Sequence, residues 1–145
     1  MKKVFLLFLL FSLMAFAGYK EDLEKRMKIV EKGINKDTES TAEAVDAQVK
    51  TYEAWDKEMN IVYKKLINKI EEIEKKYGEE YKGFKASLIK TQKSWVEFRD
   101  NEADFSQRPF GRGSMGRVIR AGTRAEMTKD RALELAEYYD EVSEF

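Results

Sequence analysis

The chain contains no cysteine, no histidine and a single proline, Pro109, among its 145 residues. Without cysteine there is neither a disulfide framework nor a thiolate metal site, so stability has to come from packing. Without histidine the commonest neutral-pH general base and transition-metal ligand are missing. The usual catalytic triads and zinc sites are therefore excluded, and no Gly-rich loop or nucleophile elbow replaces them. No catalytic residue, metal site or cofactor is expected. The scarcity of proline, with 37% charged residues, suits a chain built largely of long helices.

Long apolar runs are also lacking, except at the start. Residues 1–17 carry Lys2 and Lys3, an apolar run from Val4 to Leu13, and Ala15-Phe16-Ala17 before Gly18. This is the layout of a signal peptide cut after Ala17. The run is short of the roughly 20 residues that a spanning helix needs. No cysteine follows for lipid attachment, so no stable membrane span is expected after cleavage. The mature chain is expected in the periplasm or outside the cell, where nucleic acid is not an expected partner. Removing the two lysines from a balanced 27 basic and 27 acidic residues leaves a formal net charge of −2, which names no partner.

The periodicity predicts an all-α fold, an antiparallel bundle of three main helices preceded by a short one. Leu23, Met27, Val30 and Ile34 line one side of a helix over Tyr19–Ile34, which Gly33 and Asn35 stop. The polar stretch to Ser40 reads as a linker, so residues 18–40 form a short helix and linker, and 41–143 the main domain. Ser40 and Glu43 have the spacing of a capping box. The second helix carries Val45, Val49 and Tyr52, then Met59, Tyr63, Leu66, Ile70, Ile73 and Tyr77, a heptad-like stripe expected to lie along a partner helix. Gly78 interrupts it. The third helix presents Tyr81, Phe84, Leu88, Trp95, Phe98 and Phe105, with Thr91 or Gln92 at the gap in the stripe, and is expected to form a hairpin with the second. A loop over residues 107–114, with one proline and two glycines, breaks the pattern. A last helix has Val118, Gly122, Ala125, Ala132, Ala136 and Tyr139 on one side, small enough for close approach.

Acidic residues are plentiful, and a glycosidase needs two across a cleft. Here they alternate with lysine along helical patterns, as a solvated surface does. Two other groups stand out. In Trp95-Val96-Glu97-Phe98-Arg99-Asp100, two aromatics share a face that Arg99 borders. The plain reading is that Arg99 reaches Asp56, Glu58 or Glu126 on a neighbouring helix and fixes docking. The segment 108–131 holds Arg108, Arg112, Arg117, Arg120, Arg124, Lys129 and Arg131 against Glu126 and Asp130, a local net of +5. So many arginines suit planar, hydrogen-bonded recognition of anionic lipid, cell-wall polymer or an acidic protein cleft. Alternatively, they pair with the acidic remainder of the same fold. Arg108, Arg112, Ser114, Arg117 and Arg120 are the candidate partner-binding residues, although Ser114 also suits a helix cap.

Asp56, Met59-Asn60, Tyr63, Leu66, Gln92, Trp95, Phe98-Arg99-Asp100 and Glu102, then Gly113-Ser114-Met115, Ala125-Glu126-Met127-Thr128, Arg131 and Leu135, form a pattern that resembles the lysozyme-inhibitor LprI-like N-terminal domain family. The resemblance spans roughly residues 41 to 136. Its structural motif falls on Asn60, Tyr63, Trp95, Phe98, Arg99, Asp100 and Glu126. Family cysteines are replaced by Ala47, Ala103 and Thr123, so the disulfide clamp is missing. The resemblance implies a secreted helical module, many of whose relatives have no assigned activity, and lysozyme inhibition for the member that gives the family its name. Two readings follow. One is an inhibitor that inserts the Gly111-Arg112-Gly113-Ser114 tip between the carboxylates of a lysozyme cleft. The other is an envelope protein–protein interaction module without that activity, or one whose stripes bury against a second copy.

Overall fold

The computed structural model describes residues 18–35 and 39–145. The expected signal peptide and the middle of the expected linker lie outside them. Four α-helices account for most of the described chain: α1 (Tyr19–Ile34), α2 (Thr41–Tyr77), α3 (Phe84–Gln107) and α4 (Ser114–Ser143). Short 3-10 turns over Gly78–Tyr81 and Arg108–Phe110 join the last three. No helix among the described residues is long and apolar enough to cross a membrane.

The helix ends follow local chemistry. Ser40 Oγ accepts the Glu43 backbone N–H, while the Glu43 carboxylate accepts the Ser40 backbone N–H at 2.8 Å, completing the capping box. Gly78 ends α2 at φ 64°, a left-handed conformation that L side chains resist. Gly18 has no side chain with which to cap α1. Instead Asp140 of α4 accepts the backbone N–H groups of Tyr19 at 2.7 Å and Lys20 at 3.0 Å, placing negative charge at the positive end of α1. A Cβ on Gly18 would stand 2.5 Å from that carboxylate, so glycine is what admits it.

The expected hairpin is only partly realised. α3 does run antiparallel to α2, with Lys85 paired to Glu71 and Arg99 to Asp56. The most intimate pairing, however, is between α2 and α4. They run parallel: Gln48 faces Gly122, Trp55 lies beneath Lys129, and Lys76 reaches the Phe145 carbonyl. The small residues Ala125, Ala132 and Ala136 are buried and admit the large side chains of α2. α1 runs antiparallel to both, its Tyr19 beside Asp140 and its Glu31 beside Lys129.

The core joins Leu23 and Met27 of α1, Trp55, Met59, Val62, Leu66, Ile70 and Ile73 of α2, and Ala132, Leu135, Ala136 and Val142 of α4. Burying a large apolar side chain contributes about 1.5–3 kcal/mol. Several expected members turn outward: Val30 and Val49 are exposed, and Tyr77 sits at the surface beside Phe145 and Tyr81. Trp55, absent from the expected stripe, is fully buried, and its indole N–H donates to Glu31 at 2.8 Å.

Candidate functional site

The expected face of α3 is realised at Phe84, Leu88 and Trp95, which pack against the core, but beyond them the face that meets the bundle is polar rather than aromatic. Its buried residues are Gln92, Arg99 and Ala103, while Phe98 is 57% and Phe105 69% exposed. Positions 92, 95, 99 and 103 repeat every three or four residues. The core-facing stripe therefore runs through Gln92 and Arg99, and Phe98 falls outside it.

Arg99, 3% exposed, is held on every side. Its Nε donates to Asp100 at 3.0 Å, and Nη1 reaches Asp56 at 3.4 Å and the Thr128 hydroxyl at 3.5 Å. Its guanidinium lies between the rings of Tyr52, 5.3 Å away, and Trp95, 5.2 Å away. Asn60 holds Asp56 in turn, donating to its backbone carbonyl at 2.8 Å and its carboxylate at 3.0 Å. Arg131 sits beside this group, also buried, with Nε on the Gln92 carbonyl at 2.9 Å and Nη1 on Glu134 at 2.6 Å. Arg124 stacks on Tyr52 at 4.4 Å and lies 3.1 Å from Asp100 as an ion pair. Of the three carboxylates proposed for Arg99, Asp56 is the partner. Glu58 pairs with Arg26, and Glu126 is exposed among the residues lining a shallow polar cavity. Tyr63 is half-buried against the apolar core.

This layer changes the reading of the basic segment. Arg131 is internal, Arg124 is stacked and paired, Arg120 is tied to Asp104, and Lys129 is tied to Glu31. That leaves Arg108, Arg112 and Arg117, which are exposed and have no carboxylate within salt-bridge distance among the described residues. All three lie on the 107–114 loop or the first turn of α4. Phe110 (51% exposed) and Met115 (55%) stand among them. A depression of about 370 Å³ is lined by Asp104, Gln107, Arg108, Gly111 and Arg112. Arg120, expected to bind a partner, has its head group occupied within the fold.

The loop is held without a disulfide. Gly111 takes φ 68°, and its carbonyl accepts the Gln107 side-chain N–H at 3.3 Å. Gly116, in the first turn of α4, is buried against it: a Cβ there would stand 2.0 Å from the Gly111 oxygen. Ser114 is the first residue of α4 and makes no cap bond. Gly113 is the cap, so the capping role expected of Ser114 is not realised. Behind the loop, the Thr123 hydroxyl donates to Ser106 Oγ at 3.0 Å, and Ser106 donates to the Ala103 carbonyl at 2.9 Å. Two positions that hold cysteines in the resembled pattern are thus joined by a chain of neutral hydrogen bonds.

Taken together, the fold and this end define a small helical bundle with a polar, arginine-rich layer inside and a cationic, apolar-flanked tip outside. The chain belongs to the lysozyme inhibitor LprI family, whose model matches residues 34–135. It is also 30% identical, over 89 residues, to an uncharacterized protein of Rhizobium meliloti (strain 1021), an overlap of 59% of this chain and 64% of the relative. The chain thus spans less than two thirds of that relative's length. No solved structure matches.

Proposed function

We propose that this protein is an exported, non-enzymatic binding protein of the periplasm or extracellular space that blocks a lysozyme through the 107–114 loop and the first turn of α4. The observation that carries this reading is the cluster of Arg108, Arg112 and Arg117, exposed and without internal carboxylate partners among the described residues, beside Phe110 and Met115. Lysozymes place two carboxylates in one cleft. A guanidinium forms paired, charge-assisted hydrogen bonds with such groups. Flanking aromatic and thioether side chains supply apolar area of the kind that anchors protein interfaces. Arg112, between Gly111 and Gly113, is the residue placed to enter the cleft, and the Ser114 hydroxyl beside it is not engaged in capping. The family membership supports the same target class.

The test is a cell-clearing assay with residues 18–145 titrated into chicken-type, goose-type and invertebrate-type lysozymes. Stoichiometric inhibition of at least one enzyme, weakened by Arg112→Ala, is the expected result. Folded helical protein that inhibits none of the three would overturn the proposal and favour an envelope docking module of another kind.

A further inference from the structure

The start of α1 is built around the residue that export would make the first of the chain. Asp140 of α4 stands over Gly18, its carboxylate accepting the backbone N–H groups of Tyr19 at 2.7 Å and Lys20 at 3.0 Å. A Cβ on Gly18 would lie 2.5 Å from one carboxylate oxygen and 3.3 Å from the other. Cβ and the backbone nitrogen are both bonded to Cα and stand about 2.5 Å apart, so the Gly18 nitrogen is no more than about 5 Å from the nearer oxygen.

While Gly18 is joined to Ala17, that nitrogen is an uncharged amide. Hydrolysis of the Ala17–Gly18 bond, the cut expected from Ala15-Phe16-Ala17, adds water across it and leaves a carboxylate on the leader and an α-amine on Gly18. The amine is mostly protonated at neutral pH. A bare cation there would oppose the helix, because it sits at the positive end of the α1 macrodipole. The other charges around this end are largely engaged: Lys20 pairs with Glu137, Glu21 pairs with Lys25, and Lys65 of α2 lies over the Tyr19 and Tyr139 rings. Asp22 is also in the first turn. Asp140 has no lysine or arginine within salt-bridge distance among the described residues, so its charge is met only by backbone N–H groups.

We infer that removal of the leader completes a clasp between α1 and α4, the new α-ammonium of Gly18 pairing with the Asp140 carboxylate. The processed chain then has its first helix tied down by charge as well as by two backbone hydrogen bonds, and the precursor has the bonds alone. Glycine is what the clasp needs, because a side chain at position 18 would take the space of the carboxylate. The inference rests on cleavage after Ala17, hence on the export part of the proposed function, and is independent of the lysozyme contact.

The experiment exports the full chain from a bacterial host and weighs the recovered product, whose expected mass is that of residues 18–145. Carbon-13 glycine labelling then follows the Gly18 Cα signal through a pH titration. The amine is expected to lose its proton at a pH higher by about half a unit or more in the parent than in Asp140→Asn, since a neighbouring carboxylate favours the charged form. A merely structural part for Asp140 would leave the amine unmoved. A second check keeps Asp140 and adds one alanine ahead of Gly18, carrying the charge a residue away. The melting temperature is expected to fall by about 2 °C in the parent background and by less in Asp140→Asn. A product that begins elsewhere than Gly18 would overturn the inference, and a clearing assay on the same product reads the lysozyme proposal separately. An amine that titrates alike in both chains, or an equal fall in melting temperature in both, would overturn it with export intact.

Discussion

Two sets of arginines lie within thirty-odd residues of one another, and the fold treats them in opposite ways. Arg99, Arg124 and Arg131 are drawn between α3, α4 and the Tyr52 and Trp95 rings, where each meets a carboxylate and an aromatic face. Arg108, Arg112 and Arg117 sit where α3 gives way to α4 and have no carboxylate partner among the described residues. The residue type is the same, and surroundings alone separate the two. An arginine whose charge is paired with a carboxylate inside the fold is part of the scaffold, and an exposed one without such a pair is available to another molecule. The net basic charge of segment 108–131 therefore overstates the surface it presents.

The contrast can be broken first from the inside. Arg99→Ala leaves Asp56 and Asp100 without their shared partner and empties the space between two rings. A loss of about 3 kcal/mol is expected, at the lower end of the range for breaking a buried pair because both carboxylates keep contact with water. Urea unfolding measures it, and an unchanged midpoint would show that the layer contributes nothing. Gly116→Ala comes next. Its Cβ meets a backbone oxygen rather than a flexible side chain, so the loop must move or the helix start must open, at about 2 kcal/mol. Inhibition is expected to fall with it, since the arginine tip is carried on that loop.

Smaller effects sharpen the comparison. Thr123→Val removes the donor of the Thr123–Ser106–Ala103 chain while keeping the shape, at about 1 kcal/mol. If stability is unaffected, some other contact is fastening α3 to α4 behind the loop. The smallest effect is one of pH at the start of α2. The Ser40 side-chain bond, with the backbone N–H groups of Ser40 and Glu39, holds the Glu43 carboxyl below its ordinary pKa. A depressed carboxyl contributes stability that is present above its unfolded value and lost as pH falls through the folded one. The protection of the Glu43 and Ala44 amides, taken relative to their intrinsic exchange rate at each pH, is therefore expected to fall on acidification in that window, and Glu43→Gln should flatten the response.

Much of this architecture was legible in the residues. The four helices, the capping box and the stop at Gly78 follow from period and local chemistry, and the small face of α4 foretold a close neighbour. What could not be read was which helix that neighbour is. Apolar periodicity marks a buried face but not the element that covers it, and here the stripe of α2 is covered mainly by α4 rather than by α3. The polar layer was hidden for a different reason. Phe98 and Phe105 attract an assignment to the core by hydrophobicity, yet the spacing of Gln92, Trp95, Arg99 and Ala103 is the one that faces inward. Partner groups on other helices, Asp56, Tyr52 and Thr128, join Asp100 and Trp95 of α3 itself to make a buried arginine tenable there. At the tip, the loop and its arginines were visible as composition. The pairing of Arg120 with Asp104, and the Gly111–Gly116 contact that shapes the loop, needed three dimensions.

The most direct test removes the outer set alone. Arg108→Ala, Arg112→Ala and Arg117→Ala are combined in one chain, and its thermal unfolding and inhibition of a lysozyme sensitive to the parent protein are measured side by side. An unfolding curve that superimposes on the parent, with inhibition abolished, is the predicted result. Inhibition that survives the triple substitution would contradict the division of labour between the two sets of arginines, as would a fall in melting temperature comparable to that of Arg99→Ala.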